Sequence, residues 1–184
     1  QLLRFKNRKI NKNFSENVVK TIQHAAFNLD YTNINENLTD ERATELANST
    51  KVKDRIALLK YIHKNLYSPK DELLVKLLED SEKIIVLSTL NVCSNIKSNF
   101  IVEKIAKFLE VVEYRHIAAN VLVEFGGSRV LPALEKFFKE NVEIDVILKI
   151  IEIYAKIGTD NAKNLLLKHI NYPNRDVQIS IIFA

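Results

Sequence analysis

Residues 112–134, VEYRHIAANVLVEFGGSRVLPAL, decide the fold because they hold two helical patterns and the signal that separates them. Tyr114, Ile117 and Phe125 recur at the spacing of one helix face. Gly126-Gly127 follows immediately, and glycine accepts the left-handed backbone conformation that ends many helices. A second apolar pattern then begins, so this stretch predicts the junction between two helical hairpins.

The same arrangement recurs about every thirty residues. The second helix of each hairpin carries an apolar anchor, at Ile84, Tyr114, Val146 and Val177, and the gaps are 30, 32 and 31 residues. Such a period is typical of a solenoid, in which each repeat buries its apolar face against its neighbour. We therefore predict an all-α, right-handed α-solenoid of about four and a half hairpins.

Gly, Pro and Asn set the limits of the hairpins. Gly158 ends the fourth hairpin, and the turn NYPN at 171–174 separates the two helices of the fifth. The first hairpin is predicted as helices at Asp40–Asn48 and Val52–Leu66. The others are predicted at residues 71–98, 99–127 and 128–158, with an incomplete fifth at 159–184.

Two of these junctions resemble a known family. Residues 124–134, EFGGSRVLPAL, resemble the junction of HEAT repeats of the bacterial, phycobilin-lyase-like type, and NYPNRDV at 171–177 is similar to that family's inter-helix turn. Tyr114-Arg115 followed by Ala118-Ala119 is close to its Val-Arg and paired alanines, whereas Gln178 replaces the arginine. The resemblance covers residues 70–184, and 39–68 more weakly. It implies the fold and leaves the function open, because such repeats serve many roles.

Residues 1–38 do not match the repeat. We predict a basic tail, a divergent helix that begins at Ser15, and a polar loop at 30–38, followed by a repeat domain at 39–184. The chain contains no methionine and stops within an apolar helical pattern, so we expect it to be a piece of a longer protein.

The net charge of +4 arises in the tail. Five of the 27 basic residues lie within residues 1–12, so the remaining 22 face 23 acidic residues. A nearly neutral body argues against a long electrostatic track for nucleic acid. Two interpretations of the tail stay open: a solvated segment without a role, or the basic flank of a membrane helix that precedes the chain.

The exposed rows of the second helices are the candidate interaction surface. The resemblance to HEAT solenoids implies that these helices line the concave side. The predicted contact residues are Lys83, Asn91, Glu113, His116, Asn120, Glu124, Asp145, Lys149, Glu152 and Lys156. The matching row of the first hairpin holds Lys53, Lys60, Lys64 and His63, and Ser94 and Asn95 extend the second. For Asp145–Lys156 the simpler interpretation is a solvated row with internal ion pairs.

Catalytic and metal-binding patterns are not found in the sequence. The four histidines have no metal-ligand spacing, and the glycines form no phosphate loop. The single cysteine, Cys93, lies in an apolar run, which predicts a small buried hydrophobe and no oxidising compartment. We therefore expect neither a cofactor nor a metal, and a cytoplasmic location that includes the cytosolic face of a membrane.

These observations predict a non-catalytic scaffold that binds a protein or peptide on a curved helical surface. The alternative is a nucleic-acid-binding or DNA-repair solenoid, against which the near-neutral body and the lack of tryptophan weigh. A chromophore-attaching lyase is the third interpretation, and no convergent acid–base set supports it.

Overall fold

A computed structural model of the chain describes residues 34, 37–65, 67–96, 99–138 and 142–184. The predicted basic tail and the predicted helix from Ser15 lie outside these ranges. In the described ranges the chain is all-α, and its regular elements are ten helices. Their contacts divide the chain into two compact units, with the boundary between Ile96 and Lys97.

The described part of the N-terminal unit contains four helices, which form the first two predicted hairpins. They are α1 (Asp40–Asn48), α2 (Val52–Asn65), α3 (Asp71–Leu78) and α4 (Lys83–Cys93). In this unit α1 packs against α2 and α3, and α4 packs against α2 and α3. The first helices of the two hairpins are therefore neighbours, and so are the second helices.

Among the described residues of the C-terminal unit, six helices form the remaining hairpins. They are α5 (Asn99–Lys107), α6 (Val112–Phe125), α7 (Gly127–Glu135), α8 (Ile144–Ile157), α9 (Asp160–Lys168) and α10 (Arg175–Ile182). First helices again contact first helices, α5 with α7 and α7 with α9, while second helices pair as α6 with α8 and α8 with α10. Each unit thus holds two layers of helices.

Local sequence signals account for where these helices begin and end. The side chains of Thr39, Thr159 and Asn174 cap α1, α9 and α10 by accepting hydrogen bonds from backbone N–H groups of the first turn. Gly126 and Gly158 end α6 and α8 with positive φ values of 87° and 62°. The helix limits predicted for the first hairpin are confirmed, except that α2 ends at Asn65 and residue 66 is not described.

The cores consist of the aliphatic residues that the helical spacing selects. In the N-terminal unit Ala43, Ile56, Leu59, Leu77 and Ile85 belong to one buried cluster. In the C-terminal unit the buried residues include Ile105, Leu122, Leu134, Val146 and Ile150. Burial of such side chains supplies most of the stabilisation of packed helices.

One predicted anchor is displaced by a residue. Val146 and Val177 are fully buried and Tyr114 is half-buried, but Ile84 is only half-buried while Ile85 beside it is fully buried. Because α4 begins at Lys83, Ile85 occupies the third helical position, as Tyr114, Val146 and Val177 do in their helices. The anchor of the second hairpin is therefore Ile85, and the prediction of Ile84 was wrong.

Candidate interaction surface

The predicted contact residues of the C-terminal unit lie on two neighbouring helices. Glu113, Asn120 and Glu124 are exposed on α6, and His116 is half-buried, with its Nε2 3.2 Å from the Asn120 Nδ2. This histidine therefore belongs to a hydrogen-bonded surface pair.

The row on α8 contains a chain of ion pairs. Glu152 accepts from Lys149 Nζ at 2.7 Å and lies 3.1 Å from Lys156 Nζ, so one carboxylate serves two lysines of the same helix. Asp145 and Lys156 are exposed, but the side chains of Lys149 and Glu152 are only 16% and 27% exposed. The inner half of the row is more covered than a fully solvated row would be, because α8 packs between α6 and α10.

The contact residues of the N-terminal unit lie on α4, next to the row of α2. Lys83 is exposed and Asn91 is half-buried. Asn95 Nδ2 lies 3.4 Å from His63 Nδ1, which brings the C-terminal end of α2 close to the residues that follow α4. Within each unit the predicted residues thus lie on second helices, and those helices pack against one another.

Each unit holds an arginine whose role the sequence did not reveal in full. Arg55 is buried; its Nη1 donates to the backbone carbonyl of Ser49 at 2.6 Å and its Nη2 to Asp80 Oδ1 at 3.2 Å. Its Nε lies 2.8 Å from Asp80 Oδ2, which makes the contact an ion pair. Arg115 donates to the carbonyl of Leu109 at 2.5 Å and pairs with Glu143 at 3.2 Å.

These two arginines and Gln178 occupy the same place in their helices. Each is the fourth residue of a second helix, and each donates to the carbonyl of the residue six positions before it. For Gln178 the acceptor is Tyr172, at 3.1 Å. The signal that could have identified them is a long polar side chain at the fourth position of a second helix.

Carboxylate–lysine pairs connect successive first helices of the C-terminal unit. Lys136 pairs with Glu103, and Lys168 pairs with Glu135 at 2.6 Å, each across 33 residues of sequence. The Nε2 of His169 lies 3.1 Å from the same Glu135 oxygen. Burial alone would raise the pKa of Glu135, but the hydrogen bonds from Lys168 and His169 outweigh it and hold that pKa below its ordinary value.

The N-terminal unit also contains two adjoining pockets between its first helices, which the sequence did not predict. Their volumes are about 210 and 530 Å³, and both are lined by Ala47, Asn48, Glu72 and Lys76. At one end the hydroxyl of Tyr67 donates to Asp40, which also pairs with Lys70. These bonds lower the pKa of Asp40, whereas burial, aided by the hydrogen bond to Asp40, raises the pKa of Tyr67 to about 12.

Cys93 is fully buried on α4, as predicted. Burial raises the pKa of its thiol to about 12, so the thiolate is scarcely populated at neutral pH. Among the described residues no three His, Cys, Asp or Glu side chains cluster in a way that could hold a metal ion. None of the helices in these ranges has the length and apolar character needed to cross a bilayer.

Comparisons of the chain with protein-family profiles, with curated proteins and with solved structures found no match.

Proposed function

We propose that this chain is a HEAT-like, right-handed α-solenoid that acts as a non-catalytic scaffold and binds a protein or peptide on the exposed rows of its second helices. The observation that carries the proposal is the pairing of helices within each unit. Second helices lie beside second helices, so their exposed polar rows adjoin over an extended surface. Solenoid proteins use surfaces of this kind for binding.

Two kinds of repeated contact support the solenoid part of the proposal. The residue at the fourth position of α2, α6 and α10 makes the same backbone hydrogen bond. Acid–lysine pairs connect first helices 33 residues apart in the C-terminal unit. Equal contacts at equal intervals are expected when one structural unit is repeated along a chain.

The geometry of the rows favours binding over catalysis. On α8 the charged groups pair with one another along the helix, from Lys149 through Glu152 to Lys156. These groups present alternating charges along the helix surface. A catalytic acid and base would instead have to converge on one reacting atom. We propose a cytoplasmic location for this scaffold. A membrane helix that precedes the basic tail remains a prediction.

A nucleic-acid-binding role is the weaker alternative. The pI of about 9.0 favours it, but five basic residues within residues 1–12 account for the positive net charge. A body with 22 basic and 23 acidic residues suits a protein partner better than a polyphosphate backbone.

Site-specific photocrosslinking tests the scaffold proposal. A photoreactive phenylalanine analogue replaces Asn120 on α6 or Asn91 on α4, and in the control it replaces Asn164, which is exposed on the first helix α9. We expect a discrete adduct of one partner from the second-helix positions and none from Asn164. Charge reversal by Lys149→Glu with Glu152→Lys should weaken that adduct.

The opposite pattern would remove the second-helix surface from consideration. Adducts formed from Asn164 alone would place the partner on the first helices. Unchanged adducts after the charge reversals would exclude the α8 row as part of the contact.

A further inference from the structure

We infer that the groove between the first helices α1 and α3 of the N-terminal unit binds a small apolar α-amino acid in its zwitterionic form. The groove lies on the first helices, so this site is separate from the proposed second-helix contact surface and does not depend on it. Its lining residues supply an apolar surface from Ala47, Leu73 and Tyr67 and opposite charges from Glu72 and Lys76.

The groove consists of two adjoining pockets whose shared wall is formed by Ala47, Asn48, Glu72 and Lys76. The smaller pocket, of about 210 Å³, is also lined by Tyr67, and the larger one, of about 530 Å³, is also lined by Arg55. Sites for small molecules commonly measure about 300–1,000 Å³. A small ligand at the shared wall therefore has room for an apolar group on one side and for polar groups on the other.

The smaller pocket offers an apolar surface that is fixed by the core. Ala47 is 4% exposed and belongs to the buried cluster of the unit, and Leu73 packs against that cluster. Tyr67 is held in place because its hydroxyl donates to Asp40 and its ring packs edge-to-face against Tyr61. An aliphatic side chain placed on this surface leaves water for a preformed apolar site, which favours binding.

Most charged residues of the groove are already engaged within the unit. Asp40 pairs with Lys70 at 3.2 Å, and Arg55 pairs with Asp80 at 2.8 Å. Glu79, which lines the larger pocket, also has an interaction. These groups are therefore not the ones that a charged ligand would meet first.

Glu72 and Lys76 are the two charged residues that remain. Both side chains are exposed, and within the described ranges neither is engaged in a hydrogen bond or an ion pair. They lie four residues apart on α3, so they share one helix face and are separated by about 6 Å along it. The shared wall thus presents one carboxylate and one ammonium group about one helical turn apart.

An α-amino acid matches this pair of charges. Its ammonium and carboxylate groups leave the same carbon atom, so Glu72 can accept from the first while Lys76 donates to the second. Its side chain leaves that carbon as well and can reach the apolar surface. A ligand with a single charge would gain one of these bonds and meet repulsion from the other residue, and an internal residue of a peptide would gain neither.

Saturation-transfer NMR titrations of the full chain with leucine test this inference. We expect a dissociation constant on the order of 0.1–1 mM, which is what a ligand of this size can reach. Four comparison ligands each lack one feature: isocaproate lacks the ammonium group, isoamylamine the carboxylate, glycine the apolar side chain, and N-acetylleucinamide both charges. Each of them should bind about threefold or more weakly than leucine.

Two single variants assign the charges to their residues. Glu72→Gln should weaken leucine binding by about threefold or more and leave isocaproate binding unchanged, because isocaproate has no ammonium group to lose. Lys76→Gln should weaken leucine binding to a similar extent and leave isoamylamine binding unchanged. The matched control is Lys53→Gln, an exposed lysine on the second helix α2, which should change the leucine affinity by less than about twofold.

A third variant locates the ligand in the groove. Thr44 is exposed on α1 and lines the smaller pocket, so Thr44→Trp should fill that pocket and remove leucine binding. Thermal unfolding followed by circular dichroism verifies that each variant is folded.

Three outcomes would overturn the inference: no saturation transfer to leucine up to about 10 mM, equal affinity for N-acetylleucinamide and leucine, or equal losses from Lys53→Gln and Lys76→Gln. The second of them would point to a peptide side chain as the occupant of the groove. None of them bears on the photocrosslinking experiment, so an adduct from Asn120 would still support the scaffold proposal when the amino-acid site fails.

Discussion

At the scale of single residues, three of the described second helices carry a polar residue at their fourth position that bonds to the backbone before the helix. Arg55, Arg115 and Gln178 each reach back to a backbone carbonyl of the preceding turn. Gln178 makes this bond with its side-chain amide, which donates to the carbonyl of Tyr172. The sequence drew attention to Arg115 and Gln178, but it could not reveal the partner of Arg55. That partner, Asp80, is 25 residues away and becomes a neighbour only when the hairpins pack.

The Arg55–Asp80 pair leads to a stability prediction. The two side chains are 9% and 11% exposed, so Asp80→Ala leaves a nearly buried guanidinium without its counterion. We expect a loss of about 3–5 kcal/mol in the free energy of unfolding, measured by urea denaturation. Glu124→Ala, at an exposed position on α6, should change stability by no more than about 0.5 kcal/mol.

A double variant separates the cost of the isolated charge from the loss of packing. Arg55→Met with Asp80→Ala removes both charges, and it should be less destabilised than Asp80→Ala alone. The single variant Arg55→Met completes the comparison. If the double variant loses as much unfolding free energy as the sum of the losses of Asp80→Ala and Arg55→Met, the two residues do not act as a charge pair.

At the scale of elements, most of the helices could be predicted because their signals are local. Apolar spacing, capping by Thr39, Thr159 and Asn174, and the glycine ends lie within a few residues of what they determine. The position of α4 was harder to predict, since Ile84 and Ile85 are both apolar and only the start of the helix decides which one is buried. The partial burial of Lys149 also depends on the neighbouring helices, so the apolar spacing within its own helix does not predict it.

The two glycine helix ends should respond differently to substitution. Gly158 has φ 62° and ψ 16°, the left-handed helical region, which asparagine also tolerates. Gly126 has φ 87° and ψ 161°, a region open essentially to glycine alone, although a Cβ there would meet no atom within 4 Å. The strain at Gly126 is therefore a property of the backbone and not of crowding.

Thermal unfolding of four variants tests this difference. Gly126→Ala and Gly126→Asn should each cost about 1–3 kcal/mol. Gly158→Ala should cost about 1 kcal/mol, and Gly158→Asn less than that. Equal effects of asparagine at the two positions would contradict the assignment of distinct backbone regions.

At the scale of the whole molecule, the sequence predicts one repeat domain from 39 to 184, whereas contacts group the chain into two compact units that meet between Ile96 and Lys97. The period of a repeat is a local property and can be read from the sequence. The grouping of contacts depends on how the helices pack, so the sequence alone does not predict the two units. The candidate surface shares this limit: spacing predicts which residues share one helix face, and packing decides which rows adjoin.

The distribution of charge is also a property of the whole chain, and it leads to a test of the two proposed functions. Five basic residues, Arg4, Lys6, Arg8, Lys9 and Lys12, account for the change of the net charge from +4 to −1. If any affinity for duplex DNA is electrostatic and comes from this tail, replacing the five basic residues with glutamine should weaken the binding greatly. In a plot of the logarithm of the DNA association constant against the logarithm of salt concentration, the magnitude of the slope should then fall by up to about four or five.

Lys53→Glu with Lys64→Glu provides the matched comparison on the folded body. In duplex DNA titrations at two salt concentrations, this variant should retain most of the salt dependence of the original chain, because it leaves the tail intact. A nucleic-acid solenoid would behave in the reverse way: the tail variant would keep its affinity and steep salt slope, and the α2 variant would lose them. That result would favour a nucleic acid as the ligand of the second helices.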